Sequence, residues 1–194
     1  MKIQFKAIAV SPSKTTTPLQ FVCFFDQTRN QHYAGGTELV DLALKGRIRK
    51  LRSDDVFRGR RFETLLVTPY ELDAERLMLI GLGDPDTLAL EDLEAIGELL
   101  VKEAAKLRID TFAFAPSLKD ANFTKFETDA VSTSVVRGMH KGIRALRHLE
   151  ASGLIEPIVL REIVFLAGAA HLENAQAGLS RALKAEAAVD ANPE

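Results

Sequence analysis

Eight basic side chains crowd positions 45 to 61. Lys45, Arg47, Arg49, Lys50, Arg52, Arg58, Arg60 and Arg61 are opposed only by Asp54 and Asp55, a local net charge of +6. Clustered guanidinium and ammonium groups are what a nucleic-acid backbone or an acidic protein surface would meet. Phe57 and Phe62 alone interleave with them, which gives little support to stacking on single-stranded bases. A solvated face, or a surface paired with the acidic patch of another subunit, is the favoured reading. From Glu63 to Glu103 the balance reverses, with eleven acids against Arg76 and Lys102.

A second feature is Gly81-Leu82-Gly83-Asp84, placed between an expected strand and an expected helix. Glycines there let backbone N–H groups approach an anion, and the dipole of a following helix favours negative charge. Gly81 and Gly83 are therefore weak anion-site candidates. The spacing is not G-x-G-x-x-G, because position 86 is Asp, and Asp84, Asp86, Glu91 and Asp92 would repel a phosphate. A structural turn is the favoured reading. His32, His140, His148 and His171 are scattered, and Arg144 falls between the two that share a helix face. No H-E-x-x-H, C-x-x-C or G-x-S-x-G occurs. No catalytic residue, metal ligand or cofactor is assigned.

These residues need a scaffold, and the hydrophobic pattern supplies one. Ile3, Phe5, Ala7 and Ala9 alternate as a strand, and Phe21 to Phe25 is a continuous apolar run that suits a strand buried on both faces. Val40, Leu44, Ile48 and Leu51 recur at helical spacing, which predicts one helix from Gly36 onward. Arg61 to Val67 and Arg76 to Ile80 read as strands, and Leu93, Ile96, Leu100, Ala104 and Leu107 mark a long helix. Thr111–Ala115 and Glu162–Leu166 are further strands. Helices are expected around Val131 to Leu146 and from Leu172 to Val189. About six strands alternating with about four helices predict a single α/β domain over residues 1–194, a mixed sheet with helices on its faces.

One stretch identifies a relative. Phe57, Gly59, Glu63, Thr64, Leu65 and Leu66, followed by a strand closing on Gly81, Leu82 and Gly83, resemble the phrases "F-x-G-x-x-G-E-T-L-L" and "G-L-G" of the leucyl aminopeptidase family. Arg61 stands near the family's second glycine. The resemblance, to the N-terminal domain of those two-metal exopeptidases, covers nearly the whole chain. It implies a macro-domain-like three-layer fold. It also implies that the metal ligands and catalytic Lys and Arg belong to a domain that this chain does not contain, so no position inherits them. In the family this domain packs beside the catalytic half and helps to organise a hexamer, and some members bind DNA.

Composition bounds the rest. The 194 residues are 46% hydrophobic and 27% charged with a formal net charge of −2, ordinary values for a globular domain. The single cysteine, Cys23, lies within an apolar run and reads as a small buried hydrophobe in a reducing compartment. MKIQFKAIAV alternates, unlike a signal peptide, and no run approaches a membrane span, so a cytoplasmic location is expected. The Met1 start and polar end lean towards a complete gene product. The leading functional expectation is a non-catalytic module that self-associates or docks on a full-length aminopeptidase, the alanine-rich last helix being a candidate contact. The alternatives are nucleotide or ADP-ribose-type binding by a macro-like domain, or nucleic-acid binding through positions 45 to 61. The loop after Ala115, Pro116-Ser117-Leu118-Lys119-Asp120, contains no glycine, which argues against the macro-type ligand loops.

Overall fold

The structure is a computed structural model and describes residues 3–191; the expectations about the Met1 start and the polar end lie outside that range. Among these residues six strands form one mixed sheet: β1 (Gln4–Ile8), β2 (Leu19–Phe25), β3 (Thr64–Val67), β4 (Leu77–Gly83), β5 (Thr111–Ala115) and β6 (Glu162–Leu166). Their spatial order is β1-β6-β5-β2-β4-β3. Neighbours run parallel except β3, which pairs antiparallel with β4 at the edge. Every residue of β2 is buried, because this central strand has a strand on each side and helices over both faces. Its side chains alternate between two cores: Phe21, Cys23 and Phe25 face one, Val22 and Phe24 the other. Burial pushes the Cys23 thiol well above its ordinary pKa, so it remains an inert apolar side chain.

Among the described residues five α-helices make the outer layers: α1 (Gly35–Ala43), α2 (Arg47–Ser53), α3 (Leu90–Lys106), α4 (Thr128–Ala151) and α5 (Leu172–Ala191). The first two cover one face of the sheet; the other three cover the opposite face. The single helix expected from Gly36 is two, broken at Lys45 (φ 55°) and Gly46 (φ 77°). The break is held by Asp41, which is 1% exposed. Its Oδ1 accepts from the N–H groups of Ile48 (2.8 Å) and Arg49 (3.2 Å), so one carboxylate on α1 caps the first turn of α2. Its Oδ2 accepts from the Tyr33 hydroxyl at 2.7 Å.

Close packing of α3 on α4 depends on glycine. A Cβ on Gly138 would lie 1.7 Å from the Glu94 carbonyl oxygen, and one on Gly97 would lie 2.0 Å from that of Val135. Small residues serve α5 in the same way. Ala175, Leu179 and Ala182 are buried, and a Cβ on Gly178 would lie 2.3 Å from the Asp129 carbonyl oxygen on α4. Ala175, Gly178 and Ala182 thus pack within the fold, while Ala177, Ala185, Ala187 and Ala188 are exposed on its outer side with Glu173, Asn174 and Lys184. Among the described residues no helix is long and apolar enough to cross a membrane.

Candidate functional site

The family-like phrase folds into a latch over the end of β4. Glu63 turns its Oε2 back to accept three consecutive backbone N–H groups, from Arg58 (3.0 Å), Gly59 (2.8 Å) and Arg60 (2.9 Å). The loop thus forms a backbone nest around its own anion. Gly59, at φ 84°, lets the chain pass the carbonyl of Phe25, where a Cβ would stand 2.4 Å away. Phe57 anchors the loop, fully buried and edge-on to Phe24 at 5.9 Å. Counted back from Glu63, the family's second glycine falls on Phe62 rather than Arg61. Phe62 holds φ 63°, a left-handed conformation that glycine adopts without strain.

Gly81 and Gly83 belong to this latch. The Gly81 N–H donates to the Glu63 carbonyl at 2.7 Å, and the Gly83 N–H to that of Gly59 at 2.9 Å. A Cβ on Gly81 would be 1.8 Å from the Arg60 carbonyl oxygen. The two glycines make room for the loop, and both N–H groups are engaged. Asp84 and Asp86 pair with Arg29, at 2.9 and 3.0 Å.

The eight basic residues separate in space and role. Arg52 is 5% exposed; its guanidinium lies over the Phe24 ring at 5.2 Å and donates to the Asn30 carbonyl. Burial pulls its pKa below the usual value, and no phosphate can reach it from solvent. Arg47 donates to the Thr68 carbonyl, Lys50 pairs with Asp54, Arg58 with Asp55, and Arg61 with Asp92. Arg49 lies beside Asp41 at 3.9 Å and over the Tyr33 ring. No ion pair engages Lys45 or Arg60 among the described residues. The acidic residues that follow in sequence supply part of the neutralisation from within the chain, through Asp92.

A cleft of about 640 Å³ opens at the carboxyl ends of β1, β5 and β6. This is the end of the sheet where open α/β folds bind ligands. Its walls come from the segments after β1, β5 and β6, from the start of α1 and from the first turns of α4 and α5. Gly35 and Gly36 lie at the start of α1; the expectations above use Gly36 only as a helix start. They admit the Pro12 ring and the Asp120 carboxylate, which would stand 2.8 and 2.5 Å from added Cβ atoms at Gly36 and Gly35. Asp120 Oδ2 accepts from the N–H and the hydroxyl of Thr37 at 2.8 and 2.7 Å, and the Asp120 carbonyl accepts from the Ala34 N–H at 2.8 Å. Ser117, in the glycine-free loop, holds φ 61°. Among the described residues there is no group of three or more His, Cys, Asp or Glu side chains placed to hold a metal ion.

The sheet order, the two helical layers and the cleft at the strand ends define a macrodomain-like α/β domain. The Oceanobacillus iheyensis macrodomain solved with ADP superimposes with a TM-score of 0.67 over 92% of this chain and 91% of that one, at 10% identity. The chain belongs to the cytosol aminopeptidase family as its N-terminal domain, whose family model matches residues 22–143. A mutant of tomato leucine aminopeptidase shares the fold with a TM-score of 0.70 at 17% identity, over 97% of this chain and 37% of that one. The probable cytosol aminopeptidase of Alkaliphilus metalliredigens is 24% identical over 166 residues, 84% of this chain and 32% of the relative. That of Roseiflexus castenholzii is 28% identical over 128 residues, 63% and 25%. The chain therefore spans between a quarter and a third of the length of these curated relatives.

Proposed function

We propose that this chain acts as a non-catalytic accessory domain that associates through the β3 edge of its sheet, with a second copy of itself as the occupant. The observation that carries this is the contrast between the two edges. β1 carries Lys6, paired with Glu162, and accepts a hydrogen bond from Gln176 of α5 at the Ala7 carbonyl. Charges and covering elements of this kind blunt an edge strand. β3 reads Thr-Leu-Leu-Val, with no charge and no proline. Phe62 (41%), Leu66 (44%) and Tyr70 (86%) are exposed along the same segment. Two such edges related by a two-fold axis would extend the sheet antiparallel, the self-complementary arrangement of a symmetric dimer. The family match supports the accessory role, because it is to the N-terminal domain alone. A full-length family member is the other partner that this reading admits.

Size-exclusion chromatography with light scattering tests the proposal. The wild type is expected to run at a multiple of 21.3 kDa. Leu66→Lys, which places a charge on the bare edge, is expected to weaken association about tenfold or more and return the chain to monomer. A wild-type protein that remains monomeric, alone and mixed with a full-length cytosol aminopeptidase, would overturn the reading. The cleft supports a second reading, small-ligand binding.

A further inference from the structure

The backbone of β3 restricts how a second strand can join it. The Glu63 carbonyl accepts from the Gly81 N–H, so Glu63, and by alternation Leu65 and Val67, turn their N–H and C=O groups inward to β4. Thr64 and Leu66 turn theirs to the open edge. Beyond them the edge is closed at both ends. Phe62 has a left-handed φ of 63° and gives its N–H to the Gly81 carbonyl, and the Thr68 carbonyl accepts from Arg47 at 3.2 Å. The charges flanking β3 are opposite in sign: Arg60 and Arg61 are exposed before it, Glu71 and Asp73 after it. A copy of the strand laid antiparallel meets unlike charge at each end, whereas a parallel copy meets like charge. A second copy of this chain supplies that complement.

We infer that two copies pair through β3 in one register, Thr64 of each opposite Leu66 of the other, with Leu65 meeting its own counterpart on the two-fold axis. The inference rests on the association proposed above and adds its geometry. This register engages both open residues of both copies, and each of the two pairs exchanges two N–H···O bonds, about four in all. Sliding the partner until Thr64 meets Thr64 sets Leu66 against the left-handed Phe62. Sliding it until Leu66 meets Leu66 sets Thr64 against Thr68, whose carbonyl is taken. Either shift keeps one pair in place of two. On one face the two Leu65 side chains then extend the core under α1 and α2, and on the other Leu66, 44% exposed, covers the partner's Thr64.

Three single-cysteine variants report the register, since the native Cys23 is buried. Oxidation with diamide, which takes up the two thiol hydrogens, is followed on a non-reducing gel. Leu65→Cys is expected to shift to twice 21.3 kDa, because its Cβ atoms would lie about 4.5 Å apart across the axis. Thr64→Cys and Leu66→Cys, each about 7 Å from its own counterpart, should stay at the monomer position alone and link when mixed. Both of these positions are exposed, so the mixing result stands even if Leu65→Cys fails to fold. Self-linking of Thr64→Cys or of Leu66→Cys, or no link in any sample, would overturn the register. If the wild type still runs above 21.3 kDa by light scattering, that result overturns the register alone; a monomeric wild type removes both the register and the association on which it rests.

Discussion

Gly81→Ala is expected to destabilise the fold by about 3 kcal/mol or more, the upper range for overpacking, because the new methyl group would meet backbone rather than a movable side chain. Its Cβ would stand 1.8 Å from the Arg60 carbonyl oxygen and 2.7 Å from the Gly59 carbonyl carbon. Relief requires lifting the loop, which would break the hydrogen bonds from Gly81 to Glu63 and from Gly83 to Gly59. It would also disturb the three N–H groups gathered on Glu63. Urea unfolding followed by circular dichroism checks this. Gly168→Ala is the control: its Cβ would find only the His171 ring, 3.9 Å away, and its midpoint should stay with the wild type. A Gly81→Ala midpoint equal to that of the control would mean that the loop is not the latch described.

Asp41→Ala is expected to cost about 2–4 kcal/mol. It leaves the N–H groups of Ile48 and Arg49 and the hydroxyl of Tyr33 without their acceptor at a site that is 1% exposed. Asp41→Asn, which keeps an acceptor, should lose less. The same contact has a signature in alkali. Burial, aided by the bond to Asp41, pushes the Tyr33 phenol from 10.0 to about 12. A group with a raised folded-state pKa contributes stability that is complete below the unfolded value and is lost as the pH rises through the folded one. Wild-type stability should therefore fall between pH 10 and 12 by more than that of Tyr33→Phe, which has no phenol to ionise. Identical pH profiles would contradict this account of Tyr33.

The sheet was readable because its signals are local. Phe21 to Phe25 is uninterrupted because β2 is covered on both faces, and Thr111–Ala115 and Glu162–Leu166 were bounded correctly for the same reason. The break between α1 and α2 was hidden. Val40, Leu44 and Ile48 keep helical spacing across it and enter one core, so periodicity alone reports a continuous helix. Counting charges treated Arg52 like its neighbours, although it is a buried side chain over Phe24. The left-handed residues Phe62 and Ser117 carry no glycine to announce them. The cleft is not legible in the sequence because its parts are distant: Asp120, in its wall, is held by Thr37, 83 positions away. The adjacent Gly35 and Gly36 at a helix start were the one local sign of it. Gly81 and Gly83 do mark a close backbone approach, and what approaches is the chain's own loop.

The most direct measurement is hydrogen–deuterium exchange of the intact chain, dilute and concentrated, and again with a full-length cytosol aminopeptidase. Protection gained on association is expected to concentrate in residues 62–70, around β3. Exchange that is identical in all three samples, or protection confined to α5 with β3 unchanged, would contradict it.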